Sequence, residues 1–466
     1  MKHTLLVILI IVTTTLVVLG EPKVKALSTS WSSPFNISNS AAFSWPPAVA
    51  TDKQGNVHVV WSDRDSGIFM IFHTMWNGTE WSNPTVVNQG FATPHSIATD
   101  STGRLHIAYI DLDSQWLYYK VFDGSSWSSP VLISDHPGSN SRVSITLDTS
   151  DIPHVVWDNF NGGFAVYYTK WNGAGWMAPQ FIAGNAYQPK IAVDRTGSAH
   201  IVWHDRGTLR VNYRHWDGQS FLPTVTLSNS VAYNPDIAVD AFNNVHVVWE
   251  SQGVGDIYYA EWNGQAWSSA INVSNTSFDA NLPSLTVDPI GNLHLVWEQT
   301  TNNWEIFYSK REGSIWTSRT NISQNPAISA APVIAFGGNG DLHLVWHDDT
   351  PGSNRDIFYS KLVQPGNVIS GNVSDGNNPI PNVKITSNNG GTTFTDALGN
   401  YTLKSLTDGE HFVTASKDGY VFSSLFDNPV TVPTTDPKDF TGTHCSSQNQ
   451  WLAEYYENRD LTDPPA

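Results

Sequence analysis

The sequence predicts an all-β protein whose main part is a seven-bladed β-propeller closed by its N-terminal strand, followed by a small β-sandwich. Three observations predict it: histidines recurring every 46–49 residues, four short strand-like runs in each interval, and a composition dominated by Gly, Asn, Ser, Thr and Trp rather than helix formers. The same composition excludes whole classes of function. The 466 residues hold 42 Asp and Glu against 24 Lys and Arg, a formal net charge of -18, so the basic footprint that nucleic acid requires is missing. One Cys cannot form a disulfide within the chain. An apolar content of 40% with 20 Trp can bury a large core, which excludes general disorder.

The elements follow in chain order. Met1-Lys2-His3-Thr4 precedes an almost unbroken apolar run from Leu5 to Leu19, and Val18-Leu19-Gly20 is a small-residue cleavage site. Residues 1–20 therefore read as a secretory signal peptide, with an uncleaved membrane anchor as the alternative. Membrane attachment is expected only through that segment, and the protein is expected to be secreted or on the cell surface.

Residues 31–362 carry the repeat. The histidines are His58, His106, His154, His200, His246, His294 and His343. Six residues before each stands Asp52, Asp100, Asp148, Asp194, Asp240 or Asp288, with Gly337 in the seventh copy. Three residues after each comes Trp, or Tyr109 in the second copy. The first run of a copy ends at the Asp, and a Gly/Asn turn such as Gly55-Asn56 follows. The second run is His-Val-Val-Trp. The third alternates aromatics, as in Ile257-Tyr258-Tyr259-Ala260-Glu261-Trp262, and ends in an Asn-Gly or Asp-Gly pair that supplies the positive φ of a two-residue hairpin. The fourth opens with an aromatic residue, as in Trp267-Ser268-Ser269. Four antiparallel strands per repeat describe a propeller blade. The seventh copy lacks its fourth run, and Trp31-Ser32-Ser33-Pro34-Phe35-Asn36-Ile37-Ser38 matches what is missing.

The pattern Asp-x-x-Gly-Asn-x-His-Val-Val-Trp with Trp-Asn-Gly-x-x-Trp resembles the secreted bacterial propellers grouped with sialidase-like, neuraminidase-repeat proteins. The resemblance covers 31–362 and implies the propeller fold. Two departures separate this chain from sialidases: their Ser-x-Asp-x-Gly-x-x-Trp box is absent, and they usually have six blades. In 367–441, Val368-Ile369-Ser370-Gly371-Asn372-Val373 and Thr395-Asp396-Ala397-Leu398-Gly399-Asn400-Tyr401 resemble the carboxypeptidase regulatory-like, transthyretin-like module, which implies an accessory β-sandwich. In 442–466, Trp451 to Leu461 resembles the truncated start of a protective-antigen-type domain, a module linked to carbohydrate binding. Cys445 lies in the hinge before it.

A residue repeated once per blade is usually a fold determinant, so the seven His are read as hairpin ties to Asp or backbone rather than as a metal ring. Function should lie where the copies differ, in the loops between second and third runs. An acid follows every His there: Asp63, Asp111, Asp158, Asp205, Glu250, Glu298 and Asp348. Together these predict an acidic rim at the channel mouth, able to bind a cation or to accept hydrogen bonds from sugar hydroxyls, with a merely solvated polar rim as the alternative. Arg64, Arg206, Arg210 and Arg355 lie near the same loops, where a sialidase would grip a carboxylate. His204 and His347 open the two irregular loops. The candidate ligand-binding set is Asp63, Arg64, Asp111, Asp158, His204, Asp205, Arg206, Glu250, Glu298, His347, Asp348 and Arg355. No catalytic motif, metal site or cofactor is predicted. The expected function is non-catalytic binding of glycan or a surface protein; the alternatives are a sialidase-like glycoside hydrolase and a structural surface module.

Overall fold

The computed structural model describes residues 31–444 apart from 66, 91, 135–137, 254, 338–339, 350–353, 363–366, 389–391, 407–408 and 433–436. The signal segment expected at 1–20, Cys445 and the protective-antigen-type stretch lie outside the described residues. All described regular structure is β-strand, and no described helix is long and apolar enough to cross a membrane.

Among the described residues, seven antiparallel sheets span Phe35 to Leu362. The fourth shows the plan: Ala186–Val193, Ala199–Asp205, Arg210–His215 and Val225–Thr226 pair in sequence order. The sixth adds a strand, because Ile315–Trp316 and Thr320–Asn321 both pair with Trp304–Glu312. The seventh takes its fourth strand from the N-terminus, with Phe35 opposite Tyr359 and Asn36 opposite Phe358. The first strand of each sheet packs on the first strand of the next, and Ala48–Thr51 of the first also packs on Ser329–Phe336 of the seventh. Sheets repeated radially in this way make a β-propeller.

Three local causes set each blade. The Asp before the first turn bonds that turn: Asp52 Oδ1 accepts the Asn56 amide at 2.8 Å and its Oδ2 the Asn56 side chain at 2.7 Å. Gly55, at φ 86°, supplies the left-handed residue this turn needs. In the second strand, apolar residues bury on both faces, and Trp61, Trp157, Trp203, Trp249, Trp297 and Trp346 are wholly inside. The outer hairpin closes on Asn or Asp; Asn77 Oδ1 accepts the amides of Thr79 and Glu80, both at 2.9 Å.

The repeated His joins these pieces. Nε2 lies 3.2–3.5 Å from the Asp at His106, His154, His200, His246 and His294. Nδ1 meets a Tyr hydroxyl of the third strand at 2.7–2.9 Å at His154, His200, His246, His294 and His343. An ionised carboxylate only accepts, so Nε2 carries the proton, and in a neutral ring Nδ1 accepts from the phenol. Burial alone would raise the carboxyls of Asp52, Asp100, Asp194, Asp240 and Asp288. Hydrogen bonds from the turn and the imidazole outweigh it, and all five sit below the ordinary Asp value.

The same Tyr then touches the next blade edge-on. Tyr119 meets Trp176, Tyr168 meets Phe221, Tyr213 meets Trp267, Tyr259 meets Trp316 and Tyr308 meets Trp31, with ring centroids 4.9–5.4 Å apart. Tyr359 of the seventh sheet meets Trp81 of the first in the same way, at 4.9 Å. Edge-to-face pairs of this kind contribute roughly 0.5–1.5 kcal/mol each beyond area burial. Two copies depart. The seventh has no Asp at 337, and His343 Nε2 is buried without a hydrogen-bond partner among the described residues. In the first, His73 replaces the Tyr: its Nε2 lies 3.1 Å from His58 Nδ1, and its ring meets Trp127 at 5.5 Å.

The C-terminal unit is separate in its core. A four-stranded sheet (Asn400–Leu406, Asn367–Ser374, Phe440–His444, Tyr420–Ser424) and a three-stranded one (Thr392–Phe394, Lys384–Ser387, Val413–Ser416) share Ile369, Val373, Val383, Ile385, Leu403, Val413 and Phe440. Gly371 is obligatory there, since a Cβ would collide with the Lys438 carbonyl.

Burial lowers the imidazole of His73 to about 3, with His58 adding to the effect, and that of His343 to about 3; it takes His154 to about 4. The unfolded chain protonates these sites below its ordinary value near 6.5 and the folded chain does not, so stability is lost as pH falls from 6.5 toward 4. His73 alone should account for roughly 2–3 kcal/mol of that loss between pH 7 and 4.5. His73→Tyr, which restores the residue of the other six copies, should flatten the pH dependence. Denaturant midpoints at pH 7 and 4.5 measure this, and an unchanged difference between the two would refute it.

Candidate functional site

The site is built where a first strand begins and the preceding second strand ends, because antiparallel pairing puts both at one end of the blade. The openings Ala186-Tyr187-Gln188-Pro189, Ala232-Tyr233-Asn234-Pro235, Ala280-Asn281-Leu282-Pro283 and Ser329-Ala330-Ala331-Pro332 share one backbone form. Their third residues hold positive φ: 57° at Gln188, 46° at Asn234, 47° at Leu282 and 51° at Ala331. Each precedes a proline, which disfavours the right-handed helical region for the residue before it. The pairing register slips at each of these openings. The slip turns the third residue's amide away from its own sheet. Gln188 N donates to Asp158 Oδ2 at 2.9 Å and Ala331 N to Glu298 Oε2 at 2.8 Å. The Leu282 amide donates to Glu250. In every case the carboxylate belongs to the preceding blade.

These bonds decide the fate of the predicted acidic rim. Asp63, Asp158, Glu298 and Asp348 are buried rather than displayed. Asp158 also accepts the Ser141 hydroxyl and the Arg142 amide, the latter at 2.9 Å. Asp348 accepts Asn325 Nδ2, Ser329 Oγ and Trp346 Nε1 at 2.7–2.8 Å. Asp63 accepts the Ser44 hydroxyl at 3.1 Å. Half-buried Glu250 takes Asn234 Nδ2 at 2.7 Å. Asp111 and Asp205 cap their own loops, Asp111 through Ser114 and Asp205 through the amides of Gly207 and Thr208 at 2.9 and 2.8 Å. Burial pushes up the carboxyls of Asp63, Asp158 and Glu250, and that of Glu298 to about 7 with Glu250 adding to the rise.

Of the remaining predicted residues, Arg355 pairs with Asp349 at 3.0 Å. His347 is buried beside them, its imidazole lowered to about 4 by burial and then by Arg355, and its Nδ1 has no hydrogen-bond partner among the described residues. His204 is buried and donates from Nδ1 to the Ala232 carbonyl of the next blade. Arg64 is exposed over Phe69, whose ring also meets Trp45 at 5.7 Å.

The structure brings His204 and Arg206 together with residues the sequence reading did not select. Five rings form a continuous ladder across blades three to five: Phe160, Phe164, Tyr187, His204 and Tyr233, with successive centroids 4.9, 5.6, 4.9 and 4.6 Å apart. Phe160 is 46% exposed, and Phe164, Tyr187 and Tyr233 are half-buried. Two exposed guanidiniums lie on the ladder. Arg206 is 4.5 Å from the Phe164 centroid and 5.6 Å from that of Tyr187, and Arg142 is 5.4 Å from Tyr187. Beside the ladder, Gln188 Nε2 donates to Asn234 Oδ1, and the Asn234 amide donates back to Gln188 Oε1 at 3.2 Å. Partly exposed rings with planar cations and a fixed amide pair offer stacking faces and directed hydrogen bonds to a polar ligand. Among the described residues no group of three His, Cys, Asp or Glu side chains is placed to hold a metal ion. The signal that would have found the ladder is the opening of the first run: its second residue is aromatic in Trp45, Tyr187 and Tyr233, and not in Asn281 or Ala330.

Comparisons with known proteins fall on two parts of the chain. Residues 368–441 match the carboxypeptidase regulatory-like domain. No curated protein matches the sequence. Solved structures similar to the chain include a protein of unknown function from Dyadobacter fermentans, at 12% identity and TM-score 0.47, covering 71% of this chain and 97% of that one. A lectin from Aleuria aurantia in complex with Fucα1-6GlcNAc is similar at 15% identity and TM-score 0.43, covering 60% and 96%. The NanB sialidase from Streptococcus pneumoniae is similar at 12% identity and TM-score 0.41, covering 70% of each chain.

The left-handed conformation costs an L-residue roughly 1–2 kcal/mol, and at Ala331 it is held by the hydrogen bond that its backbone N–H donates to Glu298 Oε2. Ala331→Gly should remove that cost and keep the bond, stabilising the protein by about 1 kcal/mol net of the added chain entropy. A urea midpoint that stays put or falls would contradict this account of the blade opening.

Proposed function

We propose that residues 31–362 form a seven-bladed β-propeller closed by the N-terminal strand, and that this propeller is a secreted or surface-held, non-catalytic binding module for glycan. Closure is supported by the Phe35–Tyr359 pairing, the Trp81–Tyr359 contact and the Thr51 hydroxyl bond to the Phe336 carbonyl at 2.7 Å. The ring ladder from Phe160 to Tyr233 is the observation that carries the binding reading. Pyranose rings present apolar faces edged by hydroxyls, and half-buried aromatics beside fixed amides and guanidiniums complement both features. The non-catalytic part is supported by the loop carboxylates, most of which are bound into blade contacts. Residues 1–20 act as the export signal in this reading, and 367–441 as an accessory module.

A hydrolase reading has one observation in its favour. Glu298, with its carboxyl pushed up to about 7, lies near enough to Glu250 to feel its charge, and paired carboxyls of unlike acidity suit glycosidic acid–base work. Glu298, however, already accepts the Ala331 amide and is buried.

A glycan array probed with the mature chain should return carbohydrate ligands, and Tyr187→Ala with Tyr233→Ala should weaken them at least tenfold, as loss of two stacking contacts implies. Turnover of aryl glycosides that disappears in Glu298→Gln would replace binding by hydrolysis. An array without ligands, together with a purified protein partner that binds the double variant less well, would transfer the same face to protein recognition.

A further inference from the structure

Resting on the glycan reading, we propose that the ladder binds an extended acidic glycan, whose carboxylate or sulfate groups are taken by Arg142 and Arg206. The chain is poor in cations, with 24 against 42 acids, yet two guanidiniums converge on the single ring of Tyr187. Three arginines elsewhere are ion-paired, Arg104 with Asp100, Arg311 with Glu261 and Arg355 with Asp349. Among the described residues neither Arg142 nor Arg206 has a carboxylate within ion-pair distance or an acceptor for its side-chain N–H groups.

The two acids beside them are otherwise engaged. Asp158 faces inward to Ser141 and the amides of Arg142 and Gln188. Asp205 faces its own loop amides and Asn212 Nδ2. On the strand paired with that loop, Arg210 opposes Asp205, and its buried Nη1 has no partner among the described residues. Stacking on a ring occupies the face of a guanidinium and leaves its N–H edge free, which is the edge that takes a carboxylate or sulfate bidentately. The overall charge of -18 does not forbid an anionic ligand. Charges beyond about 8 Å are largely screened at physiological salt, so the local guanidiniums decide. The ladder crosses three blades, which suits a chain of sugars rather than one ring.

The test uses the mature full-length chain with three polymers: polygalacturonate for carboxylate, dextran sulfate for sulfate, and neutral dextran. At least one acidic polymer should bind about tenfold or more tightly than dextran, and raising salt should erode the difference. Arg142→Gln with Arg206→Gln should bring that polymer down to the dextran level, while Lys53→Gln with Arg195→Gln, an equal charge change at exposed turn positions away from the ladder, should leave it unchanged. Both ladder substitutions are at exposed positions, and an unaltered melting temperature verifies the fold. Should a variant melt early, Arg206→Lys, which keeps the charge but not the planar fork, supplies the same comparison with an expected severalfold loss. Equal binding of dextran and the acidic polymers, or acidic binding that survives loss of both arginines, overturns the inference and leaves glycan binding standing. Binding of none of the polymers, together with an empty array, overturns the glycan reading itself.

Discussion

The structure depends on one hydrogen-bonded relay, Asp to His to Tyr, that ends in a ring contact with the next blade. Its first half is local: the carboxylate that bonds the turn also accepts from the imidazole six residues on, which fixes the tautomer. Its second half is not local, because the phenol that donates to Nδ1 places its ring against an aromatic from the following copy. A buried imidazole without these partners would leave one polar atom unsatisfied at each end, at about 1–3 kcal/mol per atom. Each copy therefore needs its neighbour, which is the physical content of a repeat fold. The first and seventh copies each lack one member of the relay, and they are the pair joined by Trp81 and Tyr359. That join carries the usual ring contact with weaker polar support behind it.

This explains what was legible in the sequence. The relay residues sit at fixed spacing, so His, Asp and Trp mark the blade and its strands along the chain. The reading of the His as hairpin ties matches the distances from Asp100 to His106 and from Asp194 to His200. The polar rim was illegible for an equally physical reason. Sequence places Asp158 and Glu298 after the second strand but does not show that the next blade opens with a left-handed residue whose amide points back at them. Leu282 and Ala331 give no sign of positive φ, since neither is Gly, Asn or Asp. Only the following proline hints that the backbone must leave the helical region. A carboxylate meeting a buried amide of the next blade becomes part of the wall, whereas Asp111 accepts the Ser114 amide and caps its own loop.

The candidate site was half legible. Arg206 and His204 stood out as irregularities in their loop, while Tyr187, Tyr233, Phe160 and Phe164 were hidden in a chain where aromatics are 12% of all residues. Most of those aromatics are counted by the repeat and serve the core. What separates the ladder residues is their place at one end of the blades: Tyr187 and Tyr233 at the opening of a first strand, Phe160 at the end of a second and Phe164 at the start of a third. Ring-to-ring distances across three blades, which no spacing along the chain encodes, show that they meet.

A symmetric ring would be expected to offer one equal site per blade, and the residues argue against that here. The opening position is aromatic at Trp45, Tyr187 and Tyr233, and it is Asn281 and Ala330 in the copies that follow. At the loop ends, guanidinium over ring occurs at Arg206 with Phe164 and at Arg64 with Phe69. The Gln188–Asn234 pair needs two amide side chains in adjacent blades, and Leu282 and Ala331 cannot continue it. Among the described residues the features coincide only across blades three to five, with a smaller echo in blade one. Repetition thus supplies the rigid frame through the relay, and loss of repetition at one edge supplies a directional surface. In the proposed glycan complex such a surface would gain affinity by length of contact along one ligand chain rather than by copying a small pocket around the ring, and the five-ring ladder across three blades suits the former.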